Sequence, residues 1–118
     1  MSEEQRKKGL DLLEQLCGER NAIDSFPDKF LDHTLEHLFG DVWQGEALAL
    51  QERELVTCTI LTALAREPEQ MFHFAAAKRI GIPREKMMEM ITHTAHYAGW
   101  PNAVGALRSL NKVWPEAS

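Results

Sequence analysis

Apolar residues in this chain recur every three or four positions, the spacing that lines one side of an α-helix. Near the N-terminus Leu10, Leu13, Leu16 and Cys17 follow it, and Gly18 stands where a C-cap belongs. Asp24-Ser25-Phe26-Pro27 predicts a loop that starts a second helix. Phe30, Leu31, Leu35, Leu38 and Phe39 form that helix's apolar side, and Gly40 ends it. Residues 40–50 carry Gly40 and Gly45 without a sustained period, which predicts a connecting loop. A third helix is expected from Gln51 to Ala65. Its stretch from Leu55 onward is apolar or small on nearly all sides, as in a helix covered on more than one face, centrally or by another subunit.

Three prolines then punctuate the chain at positions where the first turn of a helix tolerates them. Pro68 opens a fourth helix through Phe72, Ala75, Ala76 and Ile80 to Gly81. Pro83 opens a fifth, with Met87, Met90, Ile91, Thr94 and Ala95 on its inner stripe and Gly99 at its end. Pro101 opens a sixth, with Val104, Leu107, Leu110 and Val113, and Pro115 stops it. Alternating runs rich in Val, Ile and Thr are scarce, and no repeat of solenoid length is present. The expectation is an all-α fold: one compact domain of five to six helices over residues 1–118. Ala75-Ala76-Ala77 and Ala98-Gly99 let backbones approach closely, and with the apolar third helix they favour a homo-oligomer.

Composition narrows the classes. Apolar residues make up 44% and charged ones 26%, ordinary for a soluble globular protein. No apolar run approaches the roughly 18 residues of a membrane span, so no membrane partner is expected. The start, MSEEQRKKG, lacks the apolar core of a secretory signal. Thirteen Lys plus Arg against eighteen Asp plus Glu give a net charge of −5, which argues against nucleic acid as a partner. Cys17 and Cys58 form neither a CxxC pair nor a zinc knuckle, and two thiols are too few for a disulfide scaffold. A cytoplasmic location is the expectation.

Five histidines carry most of the candidate chemistry. His33, Glu36 and His37 match H-x-x-E-H, a metalloprotease pattern, but equally suit the polar face of an amphipathic helix. No third ligand can be placed, and no metal is assigned. His93 and His96 lie one turn apart beside Tyr97, one facing a pocket and the other a neighbouring helix or solvent. His73, between Phe72 and Phe74, reads by itself as a core histidine, and Glu54 as a solvated helix carboxylate. Cys58, in Val-Thr-Cys-Thr-Ile-Leu, reads as a small core hydrophobe. No GxGxxG, P-loop or GxSxG is present.

Four segments taken together resemble the carboxymuconolactone decarboxylase family. They are Phe39-Gly40-Asp41-Val42-Trp43, Glu52 to Thr57, Met71 to Ala76 with Gly81, and Thr92-His93-Thr94-Ala95-His96-Tyr97-Ala98-Gly99-Trp100-Pro101-Asn102-Ala103. The resemblance covers roughly residues 26–110, and its most specific parts are the Tyr-Ala-Gly-x-Pro segment and the 19-residue spacing from Glu54 to His73. One branch of that family resembles alkyl hydroperoxide reductase D, where a CxxC, a glutamate and a histidine form a thiol proton relay. Here Arg66 and Glu69 occupy the two thiol positions, while Glu54 and His73 match the glutamate and the distal histidine. The other branch, γ-carboxymuconolactone decarboxylase of aromatic-acid degradation, lacks the CxxC and carries an FGDVW-like segment, and this chain is more similar to it.

That likeness implies a small helical protomer in a trimer or hexamer, a small-molecule substrate and a decarboxylation without cofactor. It implies His73, Glu54 and His93 as the catalytic groups. Trp43, Arg53, His96, Tyr97 and Trp100 would contact substrate. The chain departs from the pattern at Gly45, two positions beyond Trp43, where relatives commonly carry an arginine that suits a substrate carboxylate. Arg53 or Arg66 would have to replace it. Two other readings are a redox protein working through a lone cysteine, Cys17 before Cys58, and a non-catalytic oligomeric binding protein.

Overall fold

The computed structural model describes residues 2–116, and every regular element among them is helical. The backbone forms two compact units, Met1–Leu50 and Gln51–Ser118. The first contains α1 (Glu3–Cys17), a short α2 (Asp28–Asp32) that continues as a π-helix (His33–Phe39), and a 3-10 turn (Val42–Gln44). The second contains α3, which starts at the boundary (Leu50–Ala63), α4 (Glu67–Arg79), α5 (Arg84–Ala98) and α6 (Trp100–Val113).

In the first unit α1 starts earlier than its apolar stripe shows, because Ser2 and Gln5 form a capping box. Ser2 Oγ accepts from the Gln5 amide at 3.1 Å and Gln5 Oε1 from the Ser2 amide at 2.8 Å. Gly18 ends the helix in the left-handed conformation, with φ 85°. Leu12, Leu13 and Leu16 are buried, as are Leu35 and Phe39 of the π-helix.

The second predicted helix is thus an α-helix for only five residues. Its ladder widens where Thr34 Oγ1 donates to the Phe30 carbonyl at 2.8 Å, the oxygen an α-helical register reserves for Thr34's own amide. The crossing with α1 is made backbone on backbone. A Cβ at Gly9 would lie 1.9 Å from the Leu35 carbonyl oxygen, and one at Gly40 would lie 2.1 Å from that of Gln5.

In the second unit Cys58, Phe74, Ala77, Ile82, Met87, Met90, Ile91, Ala95, Ala103, Ala106 and Leu110 form one apolar core drawn from all four helices and the turn before α5. Small residues on α4 and α6 let those helices close on each other, and Gly105 passes so near Glu67 that a Cβ would sit 2.8 Å from its Oε1. α5 and α6 meet at Gly99, whose φ of 104° and ψ of 141° suit only glycine. Asn102 Nδ2 donates to the carbonyls of Ala63 (2.9 Å) and Ala98 (3.2 Å), which ties the start of α6 to the ends of α3 and α5.

Along α3 the coverage differs from side to side. Glu54, Cys58 and Thr62 are buried, whereas Val56, Ile60 and Leu64 are exposed. The chain alone therefore leaves one apolar side of α3 uncovered.

The glycine crossing gives a direct test of the first unit. Gly9→Ala must push a backbone carbonyl aside and is expected to lower stability by about 2–3 kcal/mol, the range for overpacking a tight contact. Denaturant unfolding of the variant measures it, and an unchanged midpoint would exclude the close approach.

Candidate functional site

Glu54, Cys58 and Thr62 are four residues apart, so α3 presents them in line on its buried side. The turn after α3 brings α4 back along that side. The Arg66 amide bonds the Leu61 carbonyl at 2.9 Å and the Ala65 amide that of Thr62 at 3.2 Å, with Ala65 left-handed at φ 58°. Glycine is the usual occupant of such a position, and alanine holds it here at a cost of roughly 1–2 kcal/mol. Pro68 stiffens the first turn of α4.

A buried polar link then fixes the rotation of α4. Gln70 Nε2 donates to the Leu61 carbonyl at 3.0 Å, and Ser109 Oγ donates to Gln70 Oε1 at 2.7 Å. One turn beyond Gln70, His73 is aimed at α3. Its Nδ1–H donates to Glu54 Oε1 at 2.6 Å, short even for a charge-assisted bond.

The two partners differ in access. The Glu54 side chain is 0% exposed, and that of His73 is 17% exposed. Glu54, which reads by its position as a solvated carboxylate, is therefore sealed in, because α3 turns residues 54, 58 and 62 toward the core. The edge of the Phe72 ring packs against the imidazole, with centroids 4.9 Å apart. Glu54 Oε2 is buried with no hydrogen-bond partner.

Cys58 lies beside this pair. Its Sγ is 3.6 Å from Glu54 Oε1 and 3.6 Å from the His73 carbonyl oxygen. Burial first, and then the charge and hydrogen bond of Glu54, push the Cys58 thiol far above its ordinary value of 9.0. A thiol so placed is not available as a thiolate nucleophile. Cys17 is half-buried at the end of α1, its Sγ 2.9 Å from the Leu13 carbonyl oxygen.

The remaining candidate residues fall in several places. His93 is exposed, stacks on Tyr97 with centroids 5.0 Å apart, and lines a groove of about 370 Å³ with Leu55, Thr59, Met90 and Thr94. His96 Nδ1 lies 2.8 Å from the Thr92 carbonyl oxygen, and its ring meets the edge of Trp100 at 5.9 Å. Tyr97 and Trp100 are 82% and 62% exposed, so within one chain they are surface groups and not the walls of a closed pocket. Arg53 is half-buried on α3.

Arg66 and Glu69 form an ion pair at the start of α4. The spacing of Arg66, Glu69 and His73 sets the three on one face of that helix. Trp43 belongs to the first unit, edge-on to Phe39 at 5.9 Å, in a groove of about 330 Å³ that also includes Lys8, Gln15 and Gln44.

His33 and His37 are both exposed on the π-helix, whose i→i+5 register replaces the α-helical spacing on which their pairing rests. Among the described residues no three His, Cys, Asp or Glu side chains are grouped so as to hold a metal ion. Sequence reasoning passed over Cys58 and Gln70 as neighbours of the site. Their signal is helical phase: Cys58 is one turn after Glu54, and Gln70 is nearly one turn before His73.

The chain matches the carboxymuconolactone decarboxylase family over residues 28–112. It is also similar to a protein of Acinetobacter baylyi named 4-carboxymuconolactone decarboxylase. The two are 30% identical over 123 residues, an alignment that covers 98% of this chain and 92% of the relative.

The Cys58 thiol yields a prediction with a definite sign. Because folding raises its value, the folded chain keeps the proton that the unfolded chain loses above about pH 9. The stability it contributes is intact below that pH and falls as pH rises, by up to ~1.4 kcal/mol per pH unit. Unfolding free energies measured from pH 8 upward are expected to show this slope in the wild type and to lack it in Cys58→Ala. Native Cys58 is also expected to resist alkylation until the chain unfolds, and rapid native labelling would contradict the burial.

Proposed function

The chain belongs to the carboxymuconolactone decarboxylase family, and on that footing we propose that it is a decarboxylase of a small carboxylated lactone, such as γ-carboxymuconolactone, in aromatic-acid breakdown. The observation that carries this reading is the 2.6 Å bond between a sealed carboxylate and an imidazole that reaches the surface. Such a pair suits proton transfer. Glu54 fixes the ring's orientation and its tautomer, leaving Nε2 as the working nitrogen.

The reaction asks for two services. When the bond from the ring γ-carbon to its carboxylate breaks, CO₂ departs and the electron pair moves through the ring double bond onto the lactone carbonyl oxygen. Hydrogen-bond donors stabilise that developing oxyanion. A proton then goes from Nε2–H of the His73 imidazolium to carbon, which leaves the neutral ring with its Nδ1–H on Glu54, and solvent restores the proton to Nε2.

His73 is the proton donor in this scheme, Glu54 its positioning partner and His93 a donor to the lactone oxygens. Arg53 or Arg66 anchors a substrate carboxylate, and Arg66 does so by exchanging Glu69 for the ligand. His96, Tyr97 and Trp100 contact the substrate. These groups need no organic cofactor and no metal for the steps described.

The uncovered apolar side of α3 extends the proposal to assembly. Val56, Ile60 and Leu64 recur at one-turn intervals, and self-association would remove them from water, in keeping with a trimer or hexamer.

Purified protein is expected to consume γ-carboxymuconolactone with release of CO₂, followed by loss of the lactone absorbance. His73→Ala is expected to lower kcat by about 100-fold or more, the usual scale for a general acid. Full turnover by that variant would remove His73 from the mechanism. Light scattering is expected to show an oligomer for the wild type and a monomer for Ile60→Asp, and a wild-type monomer at micromolar concentration would overturn the assembly.

A further inference from the structure

Glu54 poses a physical problem that His73 alone does not solve. Its carboxylate has no exposure to solvent, one oxygen takes the His73 N–H, and the other has no partner. Burying a carboxylate costs several kcal/mol unless hydrogen bonds replace the lost water. A further polar hydrogen placed near it is the Cys58 S–H, at 3.6 Å from the same oxygen that His73 engages.

That thiol carries a single hydrogen and has two acceptors within reach, Glu54 Oε1 and the His73 carbonyl oxygen. An anionic acceptor with an unpartnered second oxygen is the stronger attractor. The apolar core to which Cys58 belongs includes Phe74 of α4, Met87 and Ile91 of α5, and Ala106 of α6, none of which titrates or donates.

Resting on the reading of Glu54 and His73 as the acid–base pair, we propose that Cys58 is a positioning residue whose protonated thiol donates to Glu54 Oε1. It thereby sets both the orientation of the carboxylate and its strength as an acceptor from His73. The raised value of the thiol fits this role, because the group must keep its proton throughout the reaction. Cys58 acts here as a weak, fixed donor that touches no substrate. This differs from both the redox role and the inert core role that a lone cysteine suggests.

The test reads the bond itself. The Nδ1 proton between His73 and Glu54 should give a downfield proton resonance, assigned by its loss in His73→Gln. In Cys58→Ala that resonance is expected to move further downfield, since Oε1 then accepts from His73 alone. Cys58→Ser keeps a donor, and its resonance is expected at or upfield of the wild-type position. An unmoved resonance in folded Cys58→Ala, or the same displacement in both variants, would overturn the proposal in favour of packing alone.

Should Cys58→Ala fail to fold, the thiol can be read in place. In Cys17→Ala the remaining S–H stretching band is expected below that of a free thiol and to rise in Glu54→Gln. A band at the free-thiol position would overturn the proposal. Neither spectrum depends on turnover, so both decide the positioning role even if the lactone proves not to be a substrate. Where the lactone is consumed, Cys58→Ala is expected to lower kcat about fivefold with KM unchanged, and Cys58→Ser to recover most of it. A rise in KM at constant kcat would count against positioning.

Discussion

A carboxylate with no exposure to water must be held by its neighbours, and Glu54 is held chiefly by one imidazole N–H at 2.6 Å. The geometry of the second unit follows from that requirement. α3 has to turn residues 54, 58 and 62 inward, α4 has to return along the same side, and the register between them has to bring position 73 opposite position 54. Removing either partner would leave a polar group buried without compensation, which costs more than the intact bond contributes.

The supports for this register are local and chemically specific. The left-handed Ala65 turns the chain, Gln70 bridges the Leu61 carbonyl and Ser109, and Asn102 clamps the start of α6 onto the end of α3. Gln70 and Ser109 satisfy buried polar atoms of each other that would otherwise be orphaned. Together these supports let a hydrogen-bonded carboxylate–imidazole pair sit at the edge of an apolar core. The first unit uses another device, glycine-mediated contact between α1 and the π-helix, where shape alone fixes the crossing.

α3 carries more apolar surface than one chain covers. A helix apolar on nearly all sides has more than one face to cover, and the chain covers the faces that carry Glu54 and Leu55 while leaving Val56, Ile60 and Leu64 outward. Tyr97 and Trp100 are likewise more exposed than aromatic side chains that line an enclosed site. Surplus apolar surface at both places is what the proposed self-association would cover.

The helical architecture was legible in the sequence because periodicity and punctuation are local properties. Three- and four-residue spacing marked α1 and α3 to α6, while Gly18, Gly81, Gly99 and the prolines marked their limits. The family was legible too, in the segments around Trp43, Glu54, His73 and Tyr97. What the sequence left open depends on helical phase relative to a partner. Glu54 at position 54 is equally compatible with solvent or core, and only the packing of α4 and the core against α3 made it buried. The π-helix was hidden for a related reason, since its register goes with the Thr34 hydroxyl taking the Phe30 carbonyl, which the periodicity of residues 30–39 does not reveal. Residue types, order and helix limits were thus written in the chain itself. Tertiary structure decided which side of each helix is dry, because burial is a property of the neighbours and not of the residue.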